Sequence, residues 1–116
     1  MCRPRDRGSA TVLVTGAVAA LLVLTAAALT LAGVVAASHR ARLAADLTAL
    51  GAAMVLQVTN DPGAACVRGS GIAAGNGALM TVCRADGHIV TVVVEVRAPR
   101  WPAPARARAR AGPDGS

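Results

Sequence analysis

The chain has no phenylalanine, no tyrosine and no lysine among its 116 residues, and Trp101 is its one aromatic residue. Large aromatic side chains supply much of the burial in ordinary cores. Any core here has to be assembled from alanine, valine, leucine and isoleucine. The absence of lysine leaves all 12 basic side chains as arginine. It also removes a phosphate-binding GxxxxGK[ST] loop, although glycine-rich pieces such as Gly69-Ser70-Gly71 are present. No GxSxG occurs, and the carboxylates beyond the first seven residues, Asp46, Asp61, Asp86, Glu95 and Asp114, are scattered. His39 follows an apolar run and His88 stands beside Asp86-Gly87. General acid–base chemistry demands closely placed partners, and none of these residues is paired by spacing. The chain is expected not to be an enzyme and to carry no cofactor. Cys66, Cys83 and His88 lack the close CxxC pairs of structural zinc sites, so no metal is expected.

What the chain does have is one long apolar run. Gly8 to Ser38 contains no charged residue. About 20 mostly apolar residues cross the hydrocarbon core of a bilayer, and a lone spanning segment must be a helix because lipid offers the backbone no partners. Residues 8–38 are therefore expected to be a transmembrane helix. Residues 1–7, with Arg3, Arg5 and Arg7, form a basic head expected in the cytoplasm. The run is longer than the roughly 7–15 residues of a signal-peptide core, although Val35-Ala36-Ala37 resembles a small-residue cleavage site. Small residues recur four apart at Gly16 and Ala20, at Ala26 and Thr30, and at Gly33 and Ala37. Such pairs let helix backbones approach closely in lipid, so Gly16, Ala20, Gly33 and Ala37 are candidate helix–helix packing residues.

The helical pattern continues beyond the apolar run. Residues 39–60 contain no proline, and Leu43, Leu47, Leu50, Met54 and Val58 recur as an apolar stripe, with His39, Arg40, Arg42 and Asp46 largely off it. Asn60-Asp61-Pro62-Gly63 should end the helix. At 1.5 Å per residue, the helix from Gly8 would run roughly 70 Å. Ala64–Gly77 is a weak helix candidate, since Gly69 and Gly71 each cost about 1 kcal/mol relative to alanine. Leu79–Arg84 and His88–Val96 are rich in strand formers around Asp86-Gly87, a favoured two-residue hairpin loop. Residues 61–98 thus read as a small helix and β-hairpin module. Residues 99–116, opened by Pro99, Pro102 and Pro104 and followed by alternating alanine and arginine, are expected to be a disordered basic tail.

A loop at Asp86-Gly87 would pair Ala85 with His88, Cys83 with Val90, Thr81 with Val92 and Leu79 with Val94. Those strand residues would share one face, the more apolar one. Cys83 would then point where a helix should pack, and Cys66 could supply the partner for a disulfide if the Cα atoms lie within about 7 Å. Cys2 precedes the membrane run and the pair follows it. An oxidised pair outside and a lone thiol inside fits the redox rules of compartments, and supports an extracytoplasmic C-terminal module.

Gly8-Ser9-Ala10-Thr11-Val12 after a basic head, followed by Arg42-Leu43-Ala44-Ala45-Asp46-Leu47-Thr48-Ala49-Leu50-Gly51-Ala52-Ala53, resembles the TadE/TadG-like proteins of the Flp, or tight-adherence, pilus system. The Cys, Asn-Gly, Cys, Asp-Gly ending is similar to an actinobacterial subgroup encoded near secretion genes. The resemblance covers roughly residues 6–97. It implies a pseudopilin-like, single-pass component of pilus assembly or secretion, and prepilin-type processing between Gly8 and Ser9. The fifth residue after that cut is Leu13, where the family commonly carries glutamate, so inefficient or absent processing is expected.

The expected architecture is α+β: a long transmembrane-plus-amphipathic helix, a short helix, a β-hairpin and a basic tail. The expected function is helix-mediated association with other pilus or secretion components in the cell membrane. The arginine tail would contact anionic lipid or an envelope polymer, with no specific nucleic-acid partner. The alternatives are a small secreted disulfide-linked binding protein released by signal cleavage, and an envelope-anchored regulator of a membrane partner.

Overall fold

The computed structural model describes residues 4–113, with side chains from Gly8 onward. The side chains of the basic head and residues 114–116 of the expected tail lie outside the described residues. Five elements follow in order: α1 (Pro4–Thr59), α2 (Pro62–Gly75), β1 (Leu79–Asp86), β2 (Ile89–Val96) and β3 (Ala105–Ala111). The strands form one antiparallel sheet in the order β1-β2-β3. The α+β class stands, with a third strand that the sequence reading did not include. The chain divides into two units, one ending at Ala32 and the other beginning at Gly33.

In the first unit α1 is apolar on every side, and all side chains from Gly8 to Leu29 are exposed. Alanine and leucine are strong helix formers, and no proline interrupts the chain between Pro4 and Pro62. Thr25 Oγ1 donates to the Leu21 carbonyl at 2.8 Å and Thr30 Oγ1 to the Ala26 carbonyl at 2.9 Å. Such back-bonds satisfy hydroxyls within the helix itself, as an apolar solvent requires.

The second unit is built on the rest of α1. Its buried face is made of Ala37, Ala41, Ala44, Ala45, Ala49, Ala52 and Ala53, joined by Thr48 and Leu56. These cluster with Ala65 and Ala73 of α2, with Val90, Val92, Val94 and Val96 of β2, and with Ala107 and Ala109 of β3. The leucine stripe noted in the sequence is on the other side of the helix and is exposed. Alanine wins the inner face because a side chain of one carbon lets neighbouring backbones come close, and valine on the sheet then fills the remaining depth.

α1 stops where Asn60 takes a left-handed φ of 57°, a conformation asparagine tolerates. Asp61 then caps α2, its carboxylate accepting from the Gly63 amide at 2.9 Å, with Pro62 at the first helical position. The proline and glycine that close one helix thus open the next. α2 ends in a Schellman arrangement: the Gly77 amide donates to the Ala74 carbonyl and the Ala78 amide to the Ala73 carbonyl, with Gly77 at φ 71°. Gly69, read as a weakness, is buried at the crossing with α1. A Cβ there would stand 3.2 Å from Thr48 Cγ2 and 3.4 Å from Ala52 Cβ and Met80 Sδ. A Cβ on Gly51 would collide with Ile72 Cδ1.

The hairpin needs two corrections. Its two loop residues are Gly87 and His88, with Asp86 still in β1 opposite Ile89. Gly87 carries a positive φ of 62° and His88 does not, the pattern of a type II′ turn, which places glycine first. Ala85 therefore pairs with Val90 and Cys83 with Val92. This slides the register by two, which keeps Cys83, Val90 and Val92 on one face. A bulge between Met80 and Val82 then reverses the parity. Met80 takes the inner face opposite Val94, while Leu79 and Thr81 are exposed, against expectation.

The tail is corrected as well, because residues 105–111 form β3. Its alternation has the period of a strand. Alanines lie opposite the buried valines (Val92 with Ala109, Val94 with Ala107), and Arg106, Arg108 and Arg110 point outward opposite Glu95, Val93 and Thr91. The small alanines suffice because the surface they cover already exists, and β3 supplies hydrogen-bond partners to the second edge of β2.

The disulfide forms between Cys66 of α2 and Cys83 of β1, with a Cα–Cα distance of 5.9 Å. It closes a loop of sequence separation 17. Replacing both cysteines with serine should lower the unfolding free energy of the whole chain in mild detergent by about 3 kcal/mol on the chain-entropy model. An unchanged denaturation midpoint would contradict that role.

The two helix glycines should behave oppositely. A Cβ on Gly71 would meet nothing within 4 Å, so Gly71→Ala should stabilise by about 1 kcal/mol. Gly69→Ala should show no such gain, and Gly69→Val should cost about 1–3 kcal/mol through overpacking. Denaturant titration of the three variants checks the ordering.

Candidate interaction surfaces

No group of three or more histidine, cysteine or carboxylate side chains is placed to hold a metal among the described residues. His39 and His88 are both exposed, and Cys66 and Cys83 are consumed by their bond. Gly8 and Ser9 are exposed on the first unit of α1. The small-residue pairs separate into two kinds. Gly16 and Ala20 are exposed, and among the described residues a Cβ on Gly16 would meet nothing within 4 Å beyond its own helix backbone and chain neighbours. Gly33 instead lies against Pro99, whose Cδ is 3.7 Å from where a Cβ would stand, and Ala37 is 3% exposed. Gly33 and Ala37 thus have neighbours within the chain's own second unit.

The outer stripe of α1 is an exposed apolar feature of the second unit. Leu43, Leu47, Leu50, Met54 and Val58 are between 47% and 86% exposed. At 100° per residue they centre opposite the alanine face. Their first steps of four, three and four residues are those of a coiled-coil seam. The sequence located this stripe correctly and could not say which way it faced, because the same helix carries a second apolar face made of alanine.

The outer face of the sheet is cationic. Arg84, Arg106, Arg108 and Arg110 project from it and are exposed, and Arg97, just beyond β2, is exposed as well. Glu95 accepts from Arg106 Nε at 2.7 Å, an exposed contact worth at most about 1 kcal/mol. A hollow of about 380 Å³ lies between Arg42 and Asp46 of α1 and Arg106 and Arg108 of β3.

A larger open cleft, of about 1110 Å³, is bordered by Leu79, Glu95, Arg97, Arg100, Trp101 and Pro104. Its floor is shaped by a tight turn. The Trp101 amide donates to the Ala98 carbonyl at 3.4 Å, Pro99 follows Ala98, and Arg100 has a φ of 61°. Proline at the second position and a positive φ at the third define a type II turn, where glycine is the usual third residue. An arginine held there costs on the order of 1 kcal/mol. Trp101 is 48% exposed. Sequence reasoning treated this loop as the end of the ordered chain; the one signal that could have flagged it is that the only aromatic residue stands between two arginines and two prolines.

Set against family models, curated proteins and solved structures, the chain matches none of them.

Proposed function

We propose that this chain is a single-pass membrane component of a pilus-assembly or secretion machine, TadE/TadG-like in kind, which works by helix-mediated association and not by chemistry. The N-terminus lies in the cytoplasm and the disulfide-bonded module outside. The observation that carries this reading is helix Gly8–Thr59, long and apolar enough to cross a membrane, whose most apolar 18 residues have a mean hydropathy of 2.5 with none of them buried. A soluble helix of that composition would be covered by its own protein. The Cys66–Cys83 bond supports an oxidising compartment for the module. The exposed leucine stripe supports association outside the bilayer, and Gly16 with Ala20 supports it within.

The protein should remain in membranes after a carbonate wash, and its intact mass should show an N-terminus well upstream of Ser38. A mature start at Ser9 keeps the anchor and adds prepilin-type processing, whereas a start near Ser38 in a soluble fraction overturns the anchor and favours a secreted product.

Photo-crosslinkers at Leu47 or Met54 should trap partners in native membranes, and a crosslinker at Asp46 should do so less. Leu47→Asn with Met54→Asn should weaken association about tenfold or more, since each buried apolar side chain is worth roughly 1.5–3 kcal/mol. Equal crosslinking at all positions would remove the stripe from the reading. Gly16→Leu tests the bilayer segment separately.

A further inference from the structure

The loop that joins β2 to β3 touches α1 at one telling place. Pro99 packs against Gly33, and Gly33 lies near the far end of the uncharged run Gly8–Ser38. About 20 residues span the hydrocarbon core, so counting from Gly8 the helix leaves it near residue 28. Gly33 is then about 8 Å further along the axis, comparable with the roughly 5–7 Å of headgroup layer on each side of a bilayer. The loop beside it carries Arg97, Arg100 and the chain's only aromatic residue, Trp101, half exposed. Tryptophan is enriched at membrane interfaces because its ring is apolar and its N–H is polar. Arginine forks match phosphate oxygens.

Resting on the membrane-spanning reading above, we propose that the segment Arg97–Pro104 is an interfacial anchor: Trp101 enters the headgroup layer, and Arg97 and Arg100 bind the phosphates of anionic phospholipids. Three features fit this occupant. The cleft bordered by these side chains is open, as a headgroup site must be. Glu95, the one carboxylate at its edge, is already engaged by Arg106, and the chain from Val96 to Pro113 has no acidic residue at all. Arg100 occupies a turn position suited to glycine, so a charged side chain is kept where backbone preference opposes it, and strain of that kind gathers at functional positions.

With one tryptophan and no tyrosine, intrinsic fluorescence reports on Trp101 alone. The whole protein is reconstituted into vesicles of phosphatidylcholine, with and without phosphatidylglycerol, and incorporation is first measured by flotation after a carbonate wash. The expected result is a blue-shifted emission, quenched by lipids brominated near the glycerol end, with stronger quenching in the anionic vesicles and weaker quenching at high salt. Arg97→Gln and Arg100→Gly should each lower the ratio of docked to free Trp101 in anionic vesicles about fivefold. Arg100→Gly relieves the turn, so a loss of docking in that variant together with equal or higher thermal stability separates lipid contact from misfolding. Protein that floats with the vesicles but keeps a water-exposed, unquenched Trp101 overturns the anchor and leaves the spanning helix standing. A blue shift that follows protein density and ignores lipid charge and bromine assigns the cleft to a second copy and also overturns it. Failure to float overturns the spanning reading and the anchor together.

Discussion

The second unit depends on how closely α1 lets its neighbours approach. Its inner face, from Ala37 to Ala53, offers single methyl groups, and the glycines at 51 and 69 remove even those at the helix crossing. Dispersion and burial scale with contact, and each alanine contributes little area, so the face works through number and proximity. A sheet bearing Val90, Val92, Val94 and Val96 supplies the bulk that alanine lacks. The lack of aromatic side chains is consistent with this geometry, since a ring in the seam would hold the layers apart.

That choice of inner face settles where the large side chains go. Beyond Ser38, Leu56 is the one leucine of α1 that the inner face takes in, near its C-terminal end; Leu43, Leu47 and Leu50 stand outside, where depth is not limiting. The helix beyond Ser38 therefore carries two apolar faces: one small and used within the chain, one large and left for something else. Thr48 fits the same account. It is fully buried and its Oγ1 has no hydrogen-bond partner among the described residues, while its methyl lies at the tight crossing with Gly69. Shape outranks polarity at that position.

Much of this was legible in the sequence. The apolar run, the helix break at Asn60–Gly63, the first two strands and the cysteine pair follow from periodicity, turn chemistry and alternation. Other features were not, for reasons that are physical. A stripe of leucine and a stripe of alanine on one helix give no local sign of which is inside, because that depends on the depth of the partner surface. Asp86-Gly87 and Gly87-His88 are both acceptable loops, and the choice between them shifts the register by two without changing which face is apolar. The Ala-Arg segment is too poor in apolar mass to order itself, and it becomes a strand because β2 presents a finished valine surface and an open edge. The Trp101 loop carried a compositional sign, yet its position against Gly33 exists only in three dimensions.

The alanine face also has a genetic consequence. Every alanine codon becomes a valine codon by a single C-to-T transition at its second base. Ala41, Ala45 and Ala52 are wholly buried, so at each of them that single base change adds two carbons where the layers meet, an overpacking that costs about 1–3 kcal/mol. A module this small has little stability to spare. The same change on the outer side of α1, as at Ala36, meets open space and only lengthens an exposed apolar surface. Point mutation thus falls unevenly on the alanines of a single helix, according to the side on which each stands.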